Sequence, residues 1–230
     1  MPAFPFDAVL FDCDGVLVDS EPITSRVLAD MLGELGWPLS VEETMQIFVG
    51  KAVKDEAALI EARTGFAITA DWLTQFRARR NAALDLELRA IPGAATAVRA
   101  LHTMLDARIA VASGADRIKV ELQLAKAGML DCFAGRIYSG HETPRSKPFP
   151  DVYLAAAAGL GVDPARCAVI EDTVTGATAG VAAGATVFGY CPQELGHSNA
   201  TALHGAGAVQ VFRDMAALPE LLAQWQRAAG

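Results

Sequence analysis

Two aspartates, Asp12 and Asp14, stand two positions apart, directly after an apolar run and directly before Gly15. The apolar run Ala8–Phe11 predicts a buried strand, along which alternate side chains point the same way. Both carboxylates would therefore share one direction at the end of that strand. Because adjacent carboxylates repel and are costly to bury unpaired, the pattern predicts a nearby cation, and Mg²⁺ is a hard divalent ion that prefers oxygen ligands.

Further candidate site residues follow other apolar runs of the chain. They are Ser113, Gly114, Lys147, Glu171 and Asp172. In an open parallel sheet, ligands bind outside the carboxyl ends of the strands. We therefore expect these residues, which are far apart in the sequence, to meet Asp12 and Asp14 in one site.

These residue types together suit phosphoryl transfer. A carboxylate can attack phosphorus and form an aspartyl-phosphate. A metal ion and an ammonium group neutralise the phosphoryl oxygens, while a hydroxyl and backbone N–H groups hold them. A second carboxylic acid can give its proton to the leaving oxygen and later take one from water.

Composition limits the classes of function. The 230 residues are 52% hydrophobic and carry a formal net charge of −8, which suits one large domain or a core with an inserted domain. The chain has no run of Lys or Arg, so we expect neither nucleic acid nor an anionic membrane as a partner. Four widely spaced cysteines and the lack of a recognisable signal peptide or membrane span lead us to expect a cytoplasmic protein.

The elements that must position these residues alternate between strand-like and helical segments. Strand-like runs are predicted at 8–11, 108–112, 136–139, 167–170, 186–190 and 208–212. Helical segments are predicted at 93–106, 116–128, 150–160, 174–183 and 214–228. This alternation indicates an α/β fold with a Rossmann-like parallel sheet core flanked by helices on both faces.

The interval after the first strand breaks this alternation. Its helical patterns lie at 22–35, 41–48, 52–64 and 70–87. We therefore predict an inserted all-helical cap domain at residues 19–89, with residues 1–18 and 90–230 forming a discontinuous core. Asp19 and Glu21 are interpreted as hinge and helix-capping residues.

The motifs together resemble the haloacid dehalogenase superfamily, in particular its helical-cap branch of phosphatases and β-phosphoglucomutase-like enzymes. Residues 11–21 (FDCDGVLVDSE) are similar to the first motif of that family. Ser113 falls at the second motif, residues 147–151 (KPFPD) at the third, and residues 171–173 (EDT), followed by glycines up to Gly184, at the fourth. The motifs stand in the family's order and span almost the whole chain.

The resemblance implies roles for the first motif. Asp12 would be the nucleophile and a metal ligand. Asp14 would be the general acid/base, with its backbone carbonyl on the metal. We further expect Asp14 to ionise less readily than Asp12, because it would lie off the metal but close to other carboxylates.

The resemblance also implies roles for the later motifs. Ser113 and the N–H of Gly114 would bind the phosphate, and Lys147 would hold the nucleophile and the phosphoryl oxygens. Asp172 would ligate Mg²⁺, and Glu171 would be a second ligand, either directly or through water.

The predicted function is a Mg²⁺-dependent phosphatase that hydrolyses a small soluble phosphomonoester of the sugar- or polyol-phosphate type through an aspartyl-phosphate. A β-phosphoglucomutase-like phosphomutase and a non-catalytic metabolite-binding module are the alternatives. The resemblance places a histidine and a cap arginine of the mutase where this chain has Thr24 and Val53. This lack of cationic cap groups favours hydrolysis. A role of Lys54 in place of the missing cap arginine is left open. Three further side chains receive no role: Lys51, Arg145 and His141.

Overall fold

A six-stranded parallel sheet forms the centre of the computed structural model, which describes residues 4–192 and 199–226. The strands are β1 (Ala8–Phe11), β2 (Ile109–Ser113), β3 (Ile137–Ser139), β4 (Cys167–Glu171), β5 (Thr186–Tyr190) and β6 (Gln210–Phe212). They lie in the order β3-β2-β1-β4-β5-β6, and every pair is parallel. The predicted strands are confirmed in kind and in position.

The central strands are apolar throughout because both faces of the sheet are covered. All residues of β1, β2 and β4 are buried, as is usual for parallel strands in α/β proteins. Val9 and Phe11 belong to one apolar cluster, whereas Ala8 and Leu10 belong to the cluster on the other face. The two-residue period of the strand therefore divides β1 between two hydrophobic layers.

Four helices between β1 and β2 form a unit that we call the helical insertion. They are α1 (Glu21–Glu34), α2 (Val41–Phe48), α3 (Ala57–Thr64) and α4 (Ala70–Glu87). They pack around a hydrophobic cluster of their own that includes Leu28, Leu32, Phe48, Ile60 and Phe76. Ser40 and Thr69 start α2 and α4 by accepting hydrogen bonds from backbone N–H groups of the first turn. The predicted segment 52–64 is divided into a 3₁₀ turn, Val53–Glu56, and α3.

Within the described residues, six more helices flank the sheet. They are α5 (Ala94–Met104), α6 (Arg117–Lys126), α7 (Asp151–Gly159), α8 (Val174–Ala182), α9 (Ala200–Gly205) and α10 (Leu218–Ala223). Side chains of α5, α6 and α10 join the apolar cluster on one face, and those of α7, α8 and α9 join the cluster on the other. The predicted α/β architecture with helices on both faces is confirmed. Within residues 4–192 and 199–226, no helix is long and apolar enough to cross a bilayer.

The C-terminal region differs most from the sequence-based expectation. The helix predicted at 214–228 is a 3₁₀ turn, Met215–Ala217, followed by the short helix α10, and residues 227–230 lie outside the described part. The side chain of Asp214 caps the 3₁₀ turn, and a proline in the first turn of α10 marks a new helix start. The short helix α9 was not predicted, since six residues carry too little periodicity to be recognised.

The chain passes between the sheet and the helical insertion twice, and the two passages lie side by side. The N–H of Asp19 donates a hydrogen bond to the carbonyl of Arg89 at 3.0 Å. Val18 and Ala90 form an isolated antiparallel bridge. The domain limits predicted from the sequence fall beside this double passage.

Candidate active site

Two neighbouring strands bring three carboxylates to one edge of the sheet. β1 pairs with β4, and the N–H of Asp12 donates to the carbonyl of Ile170 at 3.0 Å. Asp12 therefore lies beside Glu171 and Asp172 at the end of β4. Carboxylate oxygens of these three buried residues, which we call the acidic triad, lie within 4.8 Å of one another. Such an arrangement can share one cation.

Lys147 supplies positive charge to the acidic triad. Its Nζ lies 2.7 Å from Oδ1 of Asp12 and 2.6 Å from Oε1 of Glu171. The same Nζ is 4.8 Å from the centre of the Tyr153 ring, and the Tyr153 hydroxyl donates to Oε1 of Glu171 at 2.8 Å. The Lys147 side chain is 9% exposed, so it points into the site and away from bulk solvent.

Burial and mutual repulsion alter the ionisation of the acidic triad. Burial raises the pKa of Asp12 to about 7, with Lys147 opposing the rise and Glu171 and Asp14 adding to it. Burial, Glu171 and Asp12 raise the pKa of Asp172 well above its usual value. One ammonium group therefore does not neutralise the acidic triad, and the site favours a further cation.

Both carboxylate oxygens of Glu171 are held in place. Oε1 accepts the two hydrogen bonds described above, and Oε2 accepts from the N–H groups of Asp172 (3.0 Å) and Thr173 (3.2 Å) and from the Thr173 hydroxyl (3.1 Å). Glycine is required nearby, because a Cβ at Gly176 would lie 1.7 Å from Oε1 of Glu171. Likewise, a Cβ at Gly15, whose φ is +74°, would lie 2.1 Å from Oδ2 of Asp172.

Asp14 has a separate set of partners. Its Oδ1 accepts hydrogen bonds from the Ser20 hydroxyl and from Nε2 of Gln123 (2.8 Å), and it lies 2.8 Å from Nζ of the buried Lys119. Burial alone would raise the pKa of Asp14, but Lys119 and these hydrogen bonds lower it to about 2. The expectation that Asp14 ionises less readily than Asp12 is therefore wrong for this arrangement, because a buried lysine stabilises the Asp14 carboxylate.

The end of β2 and the loop after it bring the predicted phosphate-binding residues to the same edge of the sheet. Ser113 is buried, and its hydroxyl oxygen accepts a hydrogen bond from the N–H of Ala115 at 3.0 Å. A Cβ at Gly114 would meet no other atom within 4 Å, so the backbone is open on that side. The loop ends at Asp116, whose side chain caps α6 by accepting from the N–H of Lys119 at 3.0 Å.

A cavity of about 410 Å³ lies between the edge of the sheet and the helical insertion. Its walls include six of the predicted site residues: Asp12, Asp14, Ser113, Gly114, Lys147 and Glu171. The seventh, Asp172, adjoins them as a member of the acidic triad. The structure thus brings all the predicted site residues together, and the cavity is of a size that suits a small molecule.

The helical insertion contributes cations to this cavity. They are Lys51, Lys54, Arg77 and Arg80. The expectation that the insertion lacks cationic groups at the site is therefore wrong. Thr24 and Val53 do line the cavity, but Arg77 and Arg80 reach it from α4, far in the sequence from the two positions that were compared. The cations of the insertion therefore do not favour hydrolysis over the phosphomutase reaction.

The three side chains without a predicted role have different environments. Lys51 lies 3.5 Å from Glu56 within the insertion. Arg145 lies 3.0 Å from Asp151, at the start of α7. His141 lines the cavity, on the loop after β3.

Several residues at the site were not found from the sequence. Lys119 and Gln123 stand four positions apart on α6 and so share a helix face beside the end of β2, which is the signal that could have identified them. Tyr153 stands in the first turn of α7, two positions after the end of the third motif. Glu21, interpreted as a helix-capping residue, lines the cavity, and burial together with Asp14 raises its pKa to about 7.

The fold and this site together define a class of protein. The sequence model of the haloacid dehalogenase-like hydrolases matches residues 6–184, a range that contains β1 to β4 and all the predicted site residues. The chain belongs to the haloacid dehalogenase-like hydrolase family. The resemblance inferred from its four motifs is thereby confirmed, and the chain is an enzyme of this family.

Individual relatives narrow the class further. A 6-phosphogluconate phosphatase of Escherichia coli (strain K12) is 33% identical over 94% of this chain and 94% of its own length. Hexitol phosphatase B of the same strain is 32% identical over 76% of this chain and 79% of its own length. A solved haloacid dehalogenase family hydrolase from Deinococcus radiodurans R1, with bound phosphate and sodium, is 40% identical over 96% of both chains, with a TM-score of 0.76. These relatives confirm the prediction of a phosphatase enzyme.

Proposed function

We propose that this chain is a Mg²⁺-dependent phosphatase that hydrolyses a small sugar- or polyol-type phosphomonoester through an aspartyl-phosphate intermediate. The observation that carries the proposal is the contact of Lys147 with both Asp12 and Glu171 at the cavity. In this interpretation a nucleophilic carboxylate, an ammonium group and metal-ligating oxygens surround one phosphorus atom. The relatives named for 6-phosphogluconate and for hexitol phosphates support the substrate class.

The acidic triad fits a magnesium ion. It offers only oxygen ligands, which this hard cation prefers, and its negative charge exceeds what Lys147 neutralises. Asp12 and Asp172 would hold the ion directly, the backbone carbonyl of Asp14 would be a further ligand, and Glu171 would bind it directly or through water. When bound, the ion would act as a Lewis acid on the phosphoryl oxygens.

The first half of the reaction would transfer the phosphoryl group to Asp12. A carboxylate oxygen attacks phosphorus, so that a bond from Asp12 to phosphorus forms and the bond from phosphorus to the ester oxygen breaks. The alcohol leaves with a proton from Asp14. The Ser113 hydroxyl, the Gly114 N–H and the Lys147 ammonium group hold the non-bridging oxygens.

The second half would release inorganic phosphate. Asp14, now a carboxylate, takes a proton from the water that attacks phosphorus, and the bond to Asp12 breaks. The partners of Asp14 in the structure stabilise this carboxylate form. Because Ser20, at the start of the helical insertion, also donates to Asp14, a movement of the insertion would give Asp14 a route to the protonated form that the first half needs.

The division into a core of residues 1–18 and 90–230 and a cap of residues 19–89 is part of this proposal. The paired passages near Val18 and Ala90, and the separate hydrophobic cluster of the insertion, support it. A cap joined in this way can close over the substrate and exclude water during the reaction. The proposed partner is a small phosphorylated metabolite, with neither nucleic acid nor membrane bound, and a cytoplasmic location remains a prediction.

A phosphomutase is the second candidate function. Arg77 and Arg80 line the cavity, and cations of this kind would help to hold a phosphorylated intermediate that a mutase must bind again. Hydrolysis is preferred because the relatives named above are phosphatases. Incubation with a hexose phosphate, followed by separate assays for free phosphate and for isomerised hexose phosphate, distinguishes the two functions.

The decisive variant is Asp12→Asn. A carboxamide is a poor nucleophile, so we expect kcat for sorbitol 6-phosphate and for p-nitrophenyl phosphate to fall by at least about a thousandfold. The measurement is the release of inorganic phosphate or p-nitrophenol in the presence of MgCl₂. Asp131→Asn is the matched control, because this aspartate is exposed and pairs with Arg99 outside the cavity.

Removal of metal completes this test. EDTA should abolish turnover by the unaltered protein, and excess Mg²⁺ should restore it. Phosphatase activity that survives Asp12→Asn would overturn the covalent mechanism, and activity insensitive to EDTA would overturn the metal dependence. If the unaltered protein turned over no phosphomonoester, the alternative of a non-catalytic metabolite-binding module would replace the proposal.

A further inference from the structure

Most cations on the cavity wall form ion pairs with acidic side chains of the protein. The pairs are Lys51 with Glu56 at 3.5 Å, Arg80 with Asp116 at 2.9 Å, Lys119 with Asp14 at 2.8 Å and Lys147 with Asp12 at 2.7 Å. Lys54 and Arg77 also line the cavity, yet neither forms an ion pair with any acidic side chain that the structure describes. Asp55 is on the same wall and does not come within ion-pair distance of either of them.

Lys54 and Arg77 act on one region of the cavity. Lys54 precedes α3 and Arg77 lies on α4, yet both line the cavity that His141, on the loop after β3, also lines. Burial lowers the pKa of His141, and Lys54, Arg77 and Arg80 lower it further while Asp116 opposes them, so the charges of Lys54 and Arg77 both reach the His141 side chain. The loop that carries His141 is held by the hydrogen bond from its own N–H to the Ser139 hydroxyl oxygen at 3.1 Å.

The transferring phosphoryl group does not need these two cations. In the proposed mechanism its charge is balanced at the edge of the sheet by Lys147, by the Ser113–Gly114 loop and by the metal of the acidic triad. Lys54 and Arg77 belong instead to the helical insertion, on the other wall of the cavity. Their positive charge therefore remains available to a different part of the substrate.

We propose that Lys54 and Arg77 bind a second anionic group of the substrate, so that the preferred phosphomonoester carries a carboxylate or another phosphate at its far end. This inference rests on the proposed phosphatase function and specifies its substrate class. A neutral polyol phosphate would partly desolvate both cations without giving them a counter-ion, whereas an anionic end group would restore the lost interactions. The planar guanidinium of Arg77 suits either anion, since carboxylates and phosphates both accept two parallel N–H bonds.

The test compares substrates that differ only at the end opposite the phosphate. 6-Phosphogluconate and sorbitol 6-phosphate are open six-carbon chains that end in a carboxylate and in a hydroxymethyl group, respectively, and sorbitol 1,6-bisphosphate carries a second phosphate at the same end. We expect kcat/KM of the unaltered protein to be about tenfold higher or more for an anionic end than for sorbitol 6-phosphate. Whether the acid or the bisphosphate is preferred identifies the second anion.

The double variant Lys54→Gln/Arg77→Gln should remove this preference. We expect kcat/KM for the preferred anionic substrate to fall by about tenfold to a hundredfold, chiefly through KM, with little change for sorbitol 6-phosphate. The matched control is Arg79→Gln/Lys126→Gln, which removes the same charge. Arg79 pairs with Glu34 on the outer side of the insertion, and Lys126 is exposed in the last turn of α6. The control variant should retain the preference.

Three results would overturn the inference. The first is a preference of the unaltered protein for sorbitol 6-phosphate, and the second is an equal loss on all substrates in the double variant, which would assign both cations to the phosphoryl group itself. The third comes from calorimetry with Asp12→Asn, in which we expect 6-phosphogluconate to bind more tightly than sorbitol 6-phosphate only while Lys54 and Arg77 are present; equal affinities, or a preference that survives Lys54→Gln/Arg77→Gln, would contradict the inference. This binding measurement tests the inference even if no substrate is turned over. A lack of turnover would contradict the proposed function and leave the inference about binding in place.

Discussion

Asp12 and Asp14 show how far two neighbouring carboxylates can differ in ionisation. Both are largely buried at the end of β1, but Asp12 shares its lysine with Glu171, whereas Asp14 has Lys119 and two neutral donors to itself. Burial therefore dominates for Asp12, whose pKa is raised to about 7, while the partners of Asp14 lower its pKa to about 2. Residue type and spacing alone do not distinguish these two cases.

The pairing of Asp14 with Lys119 yields a prediction about stability. Lys119→Met would leave the Asp14 carboxylate buried without its counter-ion, so the free energy of unfolding should fall by about 3 kcal/mol near neutral pH. In an Asp14→Asn background the same change should cost much less, because no charge remains to be neutralised. Urea unfolding of the four proteins of this double-mutant cycle, without metal, gives the coupling energy.

The pH dependence of that coupling provides a control. Folding lowers the pKa of Asp14 from 3.8 to about 2, so its contribution to stability is complete well above 3.8 and is lost as the pH falls through 2. The effect of Lys119→Met should therefore shrink in acid. If Lys119→Met lowered the free energy of unfolding equally in the wild-type and Asp14→Asn proteins, Lys119 would act only through packing.

Among the elements, the turn from β4 into α8 determines how Glu171 is presented. The Thr173 hydroxyl accepts a hydrogen bond from the N–H of Gly176 at 3.1 Å and caps α8, while it also donates to Glu171. The helix approaches the carboxylate so closely that its first turn has no room for a side chain at position 176. The start of α8, the glycine at position 176 and the position of the Glu171 carboxylate therefore depend on one another.

Gly176→Ala should therefore be harmful even though alanine is the better helix former. Its Cβ would lie 1.7 Å from Oε1 of Glu171, so α8 or the carboxylate must move. We expect a loss of about 1–3 kcal/mol in the free energy of unfolding and a clear fall in phosphatase activity. Gly33→Ala in α1 is the matched control, because its Cβ would meet nothing within 4 Å. This change should raise the free energy of unfolding by up to about 1 kcal/mol. A Gly176→Ala protein as stable as wild type would contradict this account of the turn.

At the scale of the whole molecule, the sheet and the helical insertion meet around one cavity whose walls differ in charge. The acidic triad lies at the edge of the sheet, and Lys54 and Arg77, which pair with no acidic side chain in the described part of the chain, belong to the insertion. Such a division suits a metal ion on one side and an anionic substrate between the walls. It also means that repulsion within the acidic triad opposes folding of the entire domain while no cation is bound.

Metal binding should consequently stabilise the whole fold. A cation that binds only the native state raises the free energy of unfolding by about 2.7 kcal/mol at a concentration one hundred times its Kd. For a chain of this size, that increase raises the Tm by about 5–10 °C. Thermal unfolding of EDTA-treated protein with and without MgCl₂ measures this shift. Asp172→Asn should lose most of it, and KCl at equal ionic strength should not reproduce it. An equal shift in the variant or in KCl would mean that the acidic triad is not the metal site.

The sequence by itself determined the strands, most helices, the helical insertion and the residues that converge at the carboxyl edge of the sheet. These features are local: apolar runs predict strands, helical periodicity predicts α1 to α8, and a parallel sheet brings the ends of its strands together wherever they stand in the chain. The three acidic positions and Lys147 could be found because each follows a recognisable strand or motif. The short helices near the C-terminus carry too few residues to show a period.

Only the tertiary structure decided which charges face one another. The partner of Asp14 lies more than a hundred positions away on α6, and Arg77 reaches the cavity because of the way in which α4 packs on the rest of the insertion. Such contacts depend on the rotation and packing of whole helices, and side-chain spacing within one segment carries no information about them. Ionisation depends on burial and on the nearest charges in space, so the pKa values of Asp12 and Asp14 are properties of the folded chain that the sequence alone does not determine.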